Sequence, residues 1–320
     1  MGDIGATNAR FALVEPGSSE IKNIENLKCS DFEDIQSAIK FYLSNHSDLD
    51  IQSACFATAG TVHLDIFKLA NNHWVINKQE VKKTLKGITV KWINDFTAQA
   101  FATTTLSDSE TIVINKGVVE PEKLRLVIGP GTGLGVCGLI MSSSGWLPIA
   151  GEGGHSDFAP NTSLEFEILT LLTKKFGHVA VERILSGPGI MNLYEALCQI
   201  NDTDMIYHSP SEITAAAVNV GSDPIADETI QMFCKIFGSV AGSMALTVGA
   251  LGGVYITSDL VRNFLDIFVA SEFQESFESK GRLQPVLKDI PVYLSKKKNM
   301  GLIGTVYQIN NHWIQKGFKI

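Results

Sequence analysis

The chain has 320 residues, of which 45% are hydrophobic and 19% charged. That balance excludes a disordered, collagenous or coiled-coil protein, and at roughly 150 residues per domain the length predicts about two domains. Against 26 lysines and arginines stand 34 aspartates and glutamates, a net charge of −8. Such a surface does not attract polyphosphate backbones, so nucleic-acid binding is not expected. A small anion is still a fitting ligand, because backbone amides bind it whatever the net charge.

The segment Met1-Gly-Asp-Ile-Gly-Ala-Thr-Asn-Ala-Arg10 has no basic or apolar leader and does not read as a signal peptide. It reads as a glycine turn that leads into a strand over Arg10–Val14. A helix is predicted over Phe32–Leu43, then strands over Ser53–Ala57 and Val90–Ile93. A further helix opens near Asp95, and Ser107–Glu110 is the first polar break. Strands over Leu124–Ile128 and Gly133–Ile140 are joined by a second glycine turn. Helices follow over Leu164–Phe176 and Asp227–Val248. The uncharged run Ile236–Ser258 is long enough to span a bilayer. Its five glycines and its change of character predict instead a buried helix, a turn and a strand, so no membrane partner is expected. Val292–Leu294 is a late strand, and the basic turn Ser295–Lys298 reads as solvated. Clusters of strands and helices in this order imply an α/β protein of two lobes. The five cysteines, Cys29, Cys55, Cys137, Cys198 and Cys234, form no CxxC pair and read as reduced thiols of a cytoplasmic protein.

Four constellations can carry chemistry. Gly2-Asp3-Ile-Gly5-Ala6-Thr7-Asn8 and Gly129-Pro-Gly131-Thr132-Gly133-Leu-Gly135 are turns where backbone amides can approach phosphate oxygens. Each alone reads equally well as a tight hairpin. Neither is a dinucleotide fingerprint, since strand continues after the second where a helix should open. In Trp92-Ile-Asn94-Asp95-Phe-Thr97, Asp95 stands where a strand hands over to a helix, as a plain N-cap or as a general base. Gly151-Glu152-Gly-Gly-His155-Ser-Asp157, joined by His178 and Glu182 at i,i+4 on one predicted helical turn, offers metal ligands or hydrogen bonds to a polyol. Gly249–Asp259 is again strand, turn and helix.

In this order the motifs resemble the bacterial glucokinase family of the hexokinase–actin-like superfamily, over nearly the whole chain from Gly2-Asp3 to Asn299-Met-Gly-Leu302. The resemblance implies a two-lobed, ribonuclease H-like α/β fold with an interdomain cleft. The small domain would be 1–106 completed by 297–320, and the large domain 107–296. It implies ATP-dependent phosphorylation of D-glucose, with Asp95 as base and Asn94, Glu152, His155 and Glu182 on the sugar hydroxyls. Asp3, Gly5, Ala6, Thr7 and Asn8, with Gly131, Thr132 and Gly133, match the phosphate-binding turns, and Asp3 matches the position near Mg2+, held through water. A cytoplasmic homodimer is the expected form.

Three positions depart from that pattern, all on the nucleotide side. The family has a complete apolar strand ahead of Asp3, of which only Met1-Gly2 is present, so an exposed sheet edge is expected; a misassigned start, with the missing residues upstream, is the preferred explanation, and genuine loss of the strand the second. Ala6 stands for a glycine, at about 1 kcal/mol if the site needs a positive φ. Ser258-Asp259 replaces a glycine pair, and Asp259 is expected to cap a helix, bond a ribose or repel phosphates. The expectation is intact hexose recognition with weakened ATP binding. The contrasting readings are a catalytically weak hexose-binding regulator and a metal-dependent hydrolase on Glu152, His155, Asp157 and Glu182.

Overall fold

The computed structural model describes residues 1–46, 49–60, 62–69, 72–143, 145–219 and 223–310. The chain opens with β1 (Gly2–Ile4), β2 (Asn8–Val14), β3 (Ile21–Lys28), α1 (Ile35–Ser44) and β4 (Ser53–Thr58). Next come β5 (Ile66–Lys68), β6 (Val75–Asn77), α2 (Lys78–Thr84), β7 (Thr89–Asn94) and α3 (Asp95–Ala102). The middle runs through β8 (Thr111–Asn115), β9 (Arg125–Pro130), β10 (Leu134–Ser142), β11 (Gly145–Gly151), α4 (Ser163–Phe176), α5 (Gly187–Ile200), α6 (Pro210–Val218) and α7 (Pro224–Val248). Then follow β12 (Val254–Ile256), α8 (Asp259–Arg262), α9 (Leu265–Ala270), α10 (Phe273–Glu278), α11 (Gln284–Asp289), β13 (Val292–Ser295) and α12 (Met300–Asn310).

The chain divides into two compact units. The first comprises Met1–Leu106, Met141–Pro148 and the described part of 297–320, and the second comprises Ser107–Ile140 and Ile149–Lys296. The tip of the β10–β11 hairpin, expected within 107–296, therefore groups with the first unit.

The first unit holds a five-stranded sheet of order β3-β2-β1-β4-β7. β1 is the surprise, because a glycine turn was expected there. It pairs antiparallel with β2 and parallel with β4, so Gly2–Ile4 lies inside the sheet and not at an edge. Met1 extends the pairing, its ammonium donating to Ala12 O at 2.8 Å and its carbonyl accepting from Ala12 N at 3.0 Å. Burial pushes that ammonium down to about 6. A cavity of about 300 Å³ is lined by Met1, Leu13, Tyr42, Ala54 and Phe56 among others. On one face α1 buries Ile35, Ala38, Ile39 and Tyr42, the spacing of a single helical stripe. Its start is set by Asp34, which accepts from Ser37 N in a capping box, so the helix begins three residues later than Phe32.

The second unit holds a six-stranded sheet of order β11-β10-β9-β12-β13-β8. Its core helix α7 starts at Asp223, which caps Ile225 and Ala226, and stops at Gly249, a left-handed residue with φ 67°. α7 is long and apolar enough to span a membrane, yet it is mostly buried against its own unit and turns into β12.

Candidate active site

In the first unit, β1, β4 and β7 are parallel and end together, with Ile4 beside Thr58 and Thr58 beside Asn94. Ligand sites of open α/β sheets form past such carboxyl ends. At the end of β7, Asn94 caps α3: its Oδ1 accepts from Phe96 N at 2.9 Å and Thr97 N at 3.1 Å. The cap is therefore Asn94, not Asp95. With Oδ1 committed, Asn94 keeps its amide hydrogens for another acceptor. Asp95 is the first residue of α3, and its Oδ1 accepts from Phe96 N at 2.8 Å. A helix N-terminus stabilises a carboxylate there. Thr58, fully buried, has no hydrogen-bond partner for its hydroxyl among the described residues. Sequence reading passed over it.

At the end of β1 the chain turns sharply into β2, closed by Gly5 N donating to Asn8 O at 2.9 Å. Asn72 Nδ2 donates to Gly5 O at 3.1 Å, while Asn72 Oδ1 accepts from Trp74 N. The thiol of Cys29 also reaches Gly5 O, and Cys29 N donates to Thr7 O. Asn72 and Cys29 were missed because their partners lie 67 and 24 residues away. Ala6 is not among the residues with positive φ, so the strain expected of it is absent. Asp3 lies opposite Arg10, with 3.3 Å between Oδ2 and Nη1. Burial pushes its pKa above the ordinary carboxylate value, and Arg10 offsets this only in part. A Cβ on Gly301 would come within 2.5 Å of the Asp3 carboxyl, so α12 begins directly against it.

In the second unit β9 and β10 form a hairpin with Gly131–Gly133 at the exposed tip and Gly129–Pro130 buried at its base. Glu182 Oε2 accepts from Leu134 N at 2.8 Å. A Cβ on Gly133 would collide with that same oxygen, so any other residue there must push the Glu182 carboxylate aside. Gly187 N, in the first turn of α5, donates to Gly131 O at 2.8 Å. Glu152 precedes and His155 ends a tight 3-10 turn after β11, whose Gly154 packs on Leu134 and whose Gly153 packs on Val136. The next residues tie this turn to the Glu182 segment: Val181 N donates to Ser156 O at 2.9 Å, and Asp157 bridges Ala180. Glu152, His155, Glu182 and the hairpin thus belong to one local assembly.

Two sequence expectations are corrected here. His178 and Glu182 do not share a helical turn, because α4 ends at Phe176 and Glu182 lies in a separate 3-10 turn, Val181–Arg183. His178 Nε2 instead faces Asp157 Oδ1 at 2.6 Å with both side chains mostly exposed, and no metal-ligand cluster of three or more such groups exists among the described residues. Asp259 is not the cap of α8. Ser258 is, and Asp259 pairs with Arg262, which satisfies its charge locally.

A sequence model of the glucokinase family matches residues 1–312. The chain belongs to the glucokinase family. A glucokinase of Hahella chejuensis is 44% identical over 97% of this chain and 96% of its own length. The crystal structure of glucokinase from an Antarctic psychrotroph is 32% identical, covers 97% of this chain and 98% of its own, and superposes with a TM-score of 0.86. A ROK-family glucokinase from Streptomyces griseus, solved with glucose and AMPPNP, is 17% identical with a TM-score of 0.63, covers 96% of this chain and 97% of its own, and shares the fold. The fold is therefore the two-lobed hexokinase-like α/β fold, and membership of the glucokinase family makes the chain an ATP-dependent hexose kinase.

Proposed function

We propose that the chain transfers the γ-phosphoryl group of MgATP to the 6-hydroxyl of D-glucose, with Asp95 as general base. The observation that carries the reading is the placing of Asn94 and Asp95 at the carboxyl ends of parallel strands, one of which runs on into the Gly5–Asn8 turn, in a chain that matches the family throughout. The Streptomyces griseus relative was solved with the same pair of ligand types, which supports glucose and ATP as substrates.

In this mechanism Asp95 accepts the 6-hydroxyl proton as O6 bonds to the γ-phosphorus and the bond to the ADP oxygen breaks. The Asn94 amide, Glu152, His155 and Glu182 hold the other hydroxyls, so an analogue lacking one leaves a polar group unpaired. The Ala6–Asn8 and Gly131–Gly133 turns take the phosphates, through those amides that do not close the turns themselves, and phosphoryl transfer asks mainly for such positioning and charge neutralisation. Asp3, whose burial outweighs the help of Arg10, suits contact with the hydrated magnesium that accompanies ATP. The five free, buried cysteines agree with a cytoplasmic site of action, and a homodimer is the assembly proposed.

Turnover with glucose and MgATP, read by coupled NADP reduction, should reach ~1 s⁻¹ or more. Asp95→Asn should lower kcat by ~10²–10⁴-fold while calorimetry still detects glucose. A folded chain without turnover would overturn the reaction; an Asp95→Asn variant with half the normal kcat would overturn the role of Asp95.

A further inference from the structure

We propose that Ser258 is a positioning residue for the Gly129–Gly135 hairpin and sets the affinity for the nucleotide's phosphates. The inference rests on the reading above, in which this hairpin carries them. Ser258 is 4% exposed and sits just past β12, beside the base of the hairpin. Its hydroxyl donates to Pro130 O at 2.5 Å across 128 residues of sequence and accepts from Val261 N at 3.0 Å. A hydroxyl can do both at once, whereas alanine and glycine can do neither.

The geometry around the hairpin shows what the bond is for. Leu134 and Pro130 are the pair that closes the β9–β10 ladder. The amide of Leu134 reaches out to Glu182, and the carbonyl of Pro130 receives Ser258. One residue earlier Thr257 N donates to Ile128 O at 3.0 Å, so the end of β12 follows the end of β9 up to the turn. Beyond it Gly131 N closes on Gly133 O at 2.7 Å and Gly131 O is taken by Gly187 N. The exposed tip is thus fixed at three points, and Ser258 is the one reaching it from the β12–α8 junction. Without it, the buried Pro130 carbonyl loses its side-chain donor, and the loop that must hold phosphate oxygens loses a support at its base. The residue that departs from the glycine pair of the resembled pattern therefore serves the nucleotide side.

Binding of MgAMPPNP by calorimetry to wild type, Ser258→Ala and Ser258→Thr tests this, since it does not depend on turnover. Ser258→Ala should weaken MgAMPPNP by about three- to tenfold, raise KM for MgATP by a similar factor, and leave KM for glucose within twofold. Ser258→Thr, which keeps the hydroxyl, should restore both. Amide exchange at 131–134 should be faster in the alanine variant. Equal binding of MgAMPPNP to wild type and Ser258→Ala, no binding to wild type, equal rises in both KM values, or failure of threonine to rescue would each overturn the proposal. Absent glucose turnover with the binding difference intact would overturn the proposed reaction and leave the role of Ser258 standing.

Discussion

The two glycine turns look alike in sequence and are held in different ways. The Gly5–Asn8 turn is closed by its own backbone and joins two strands inside a sheet, with Asn72 and Cys29 added at Gly5 O. The Gly131–Gly133 turn joins strands whose closing pair is secured by side chains from elsewhere, Glu182 and Ser258. A turn fixed by its sheet tolerates an added methyl, as Ala6 demonstrates. In the turn fixed by remote side chains Gly133 has no such room, because the Glu182 carboxylate stands where its Cβ would be. It also shares Glu182 with the proposed hexose contacts, so a change at the phosphate turn that moves the Glu182 carboxylate should be felt at the sugar.

The strongest way to break this contrast is Gly133→Ala. Its methyl must displace the Glu182 carboxylate, and overpacking of this kind costs about 1–3 kcal/mol. KM for glucose should therefore rise by roughly 10–100-fold although Gly133 belongs to the phosphate turn. Steady-state kinetics in both substrates decides it, and a rise confined to MgATP would sink the idea that Glu182 joins the two. Asn72→Ala should have a smaller effect, since it removes one of several supports of Gly5: about a fivefold rise in KM for MgATP from a lost bond of about 1 kcal/mol, with KM for glucose unchanged. An equal change in both constants would show that the first turn is no more self-sufficient than the second. Ala6→Gly should do least. Both KM values should stay within about twofold, and thermal stability should fall slightly because glycine adds freedom to the unfolded chain. A marked gain in MgATP affinity would show that Ala6 does obstruct the phosphates.

Both turns were legible in the sequence because a glycine cluster that runs into a strand-forming stretch is a local signal. So was the handover at Asn94-Asp95, although which of the two caps α3 was settled only by the direction of one side-chain oxygen. What holds the turns was not legible. Asn72 acts 67 residues from its partner, Glu182 48, and Ser258 128, and no local pattern encodes such distances. β1 escaped because three residues containing a glycine and an aspartate show no strand alternation; burial between β2 and β4 makes them a strand. The His178–Glu182 spacing suggested a helical turn, but Gly177, with φ 75°, had already ended α4.

The five buried cysteines make the chain its own reporter of local opening. Burial pushes the thiols of Cys55 and Cys234 up to about 12, and a thiol held in its neutral form away from solvent does not react with an alkylating reagent. Cys29 and Cys55 belong to the first unit and Cys137, Cys198 and Cys234 to the second. A single alkylation time course read by peptide mass spectrometry therefore times the opening of each unit separately, without any added label.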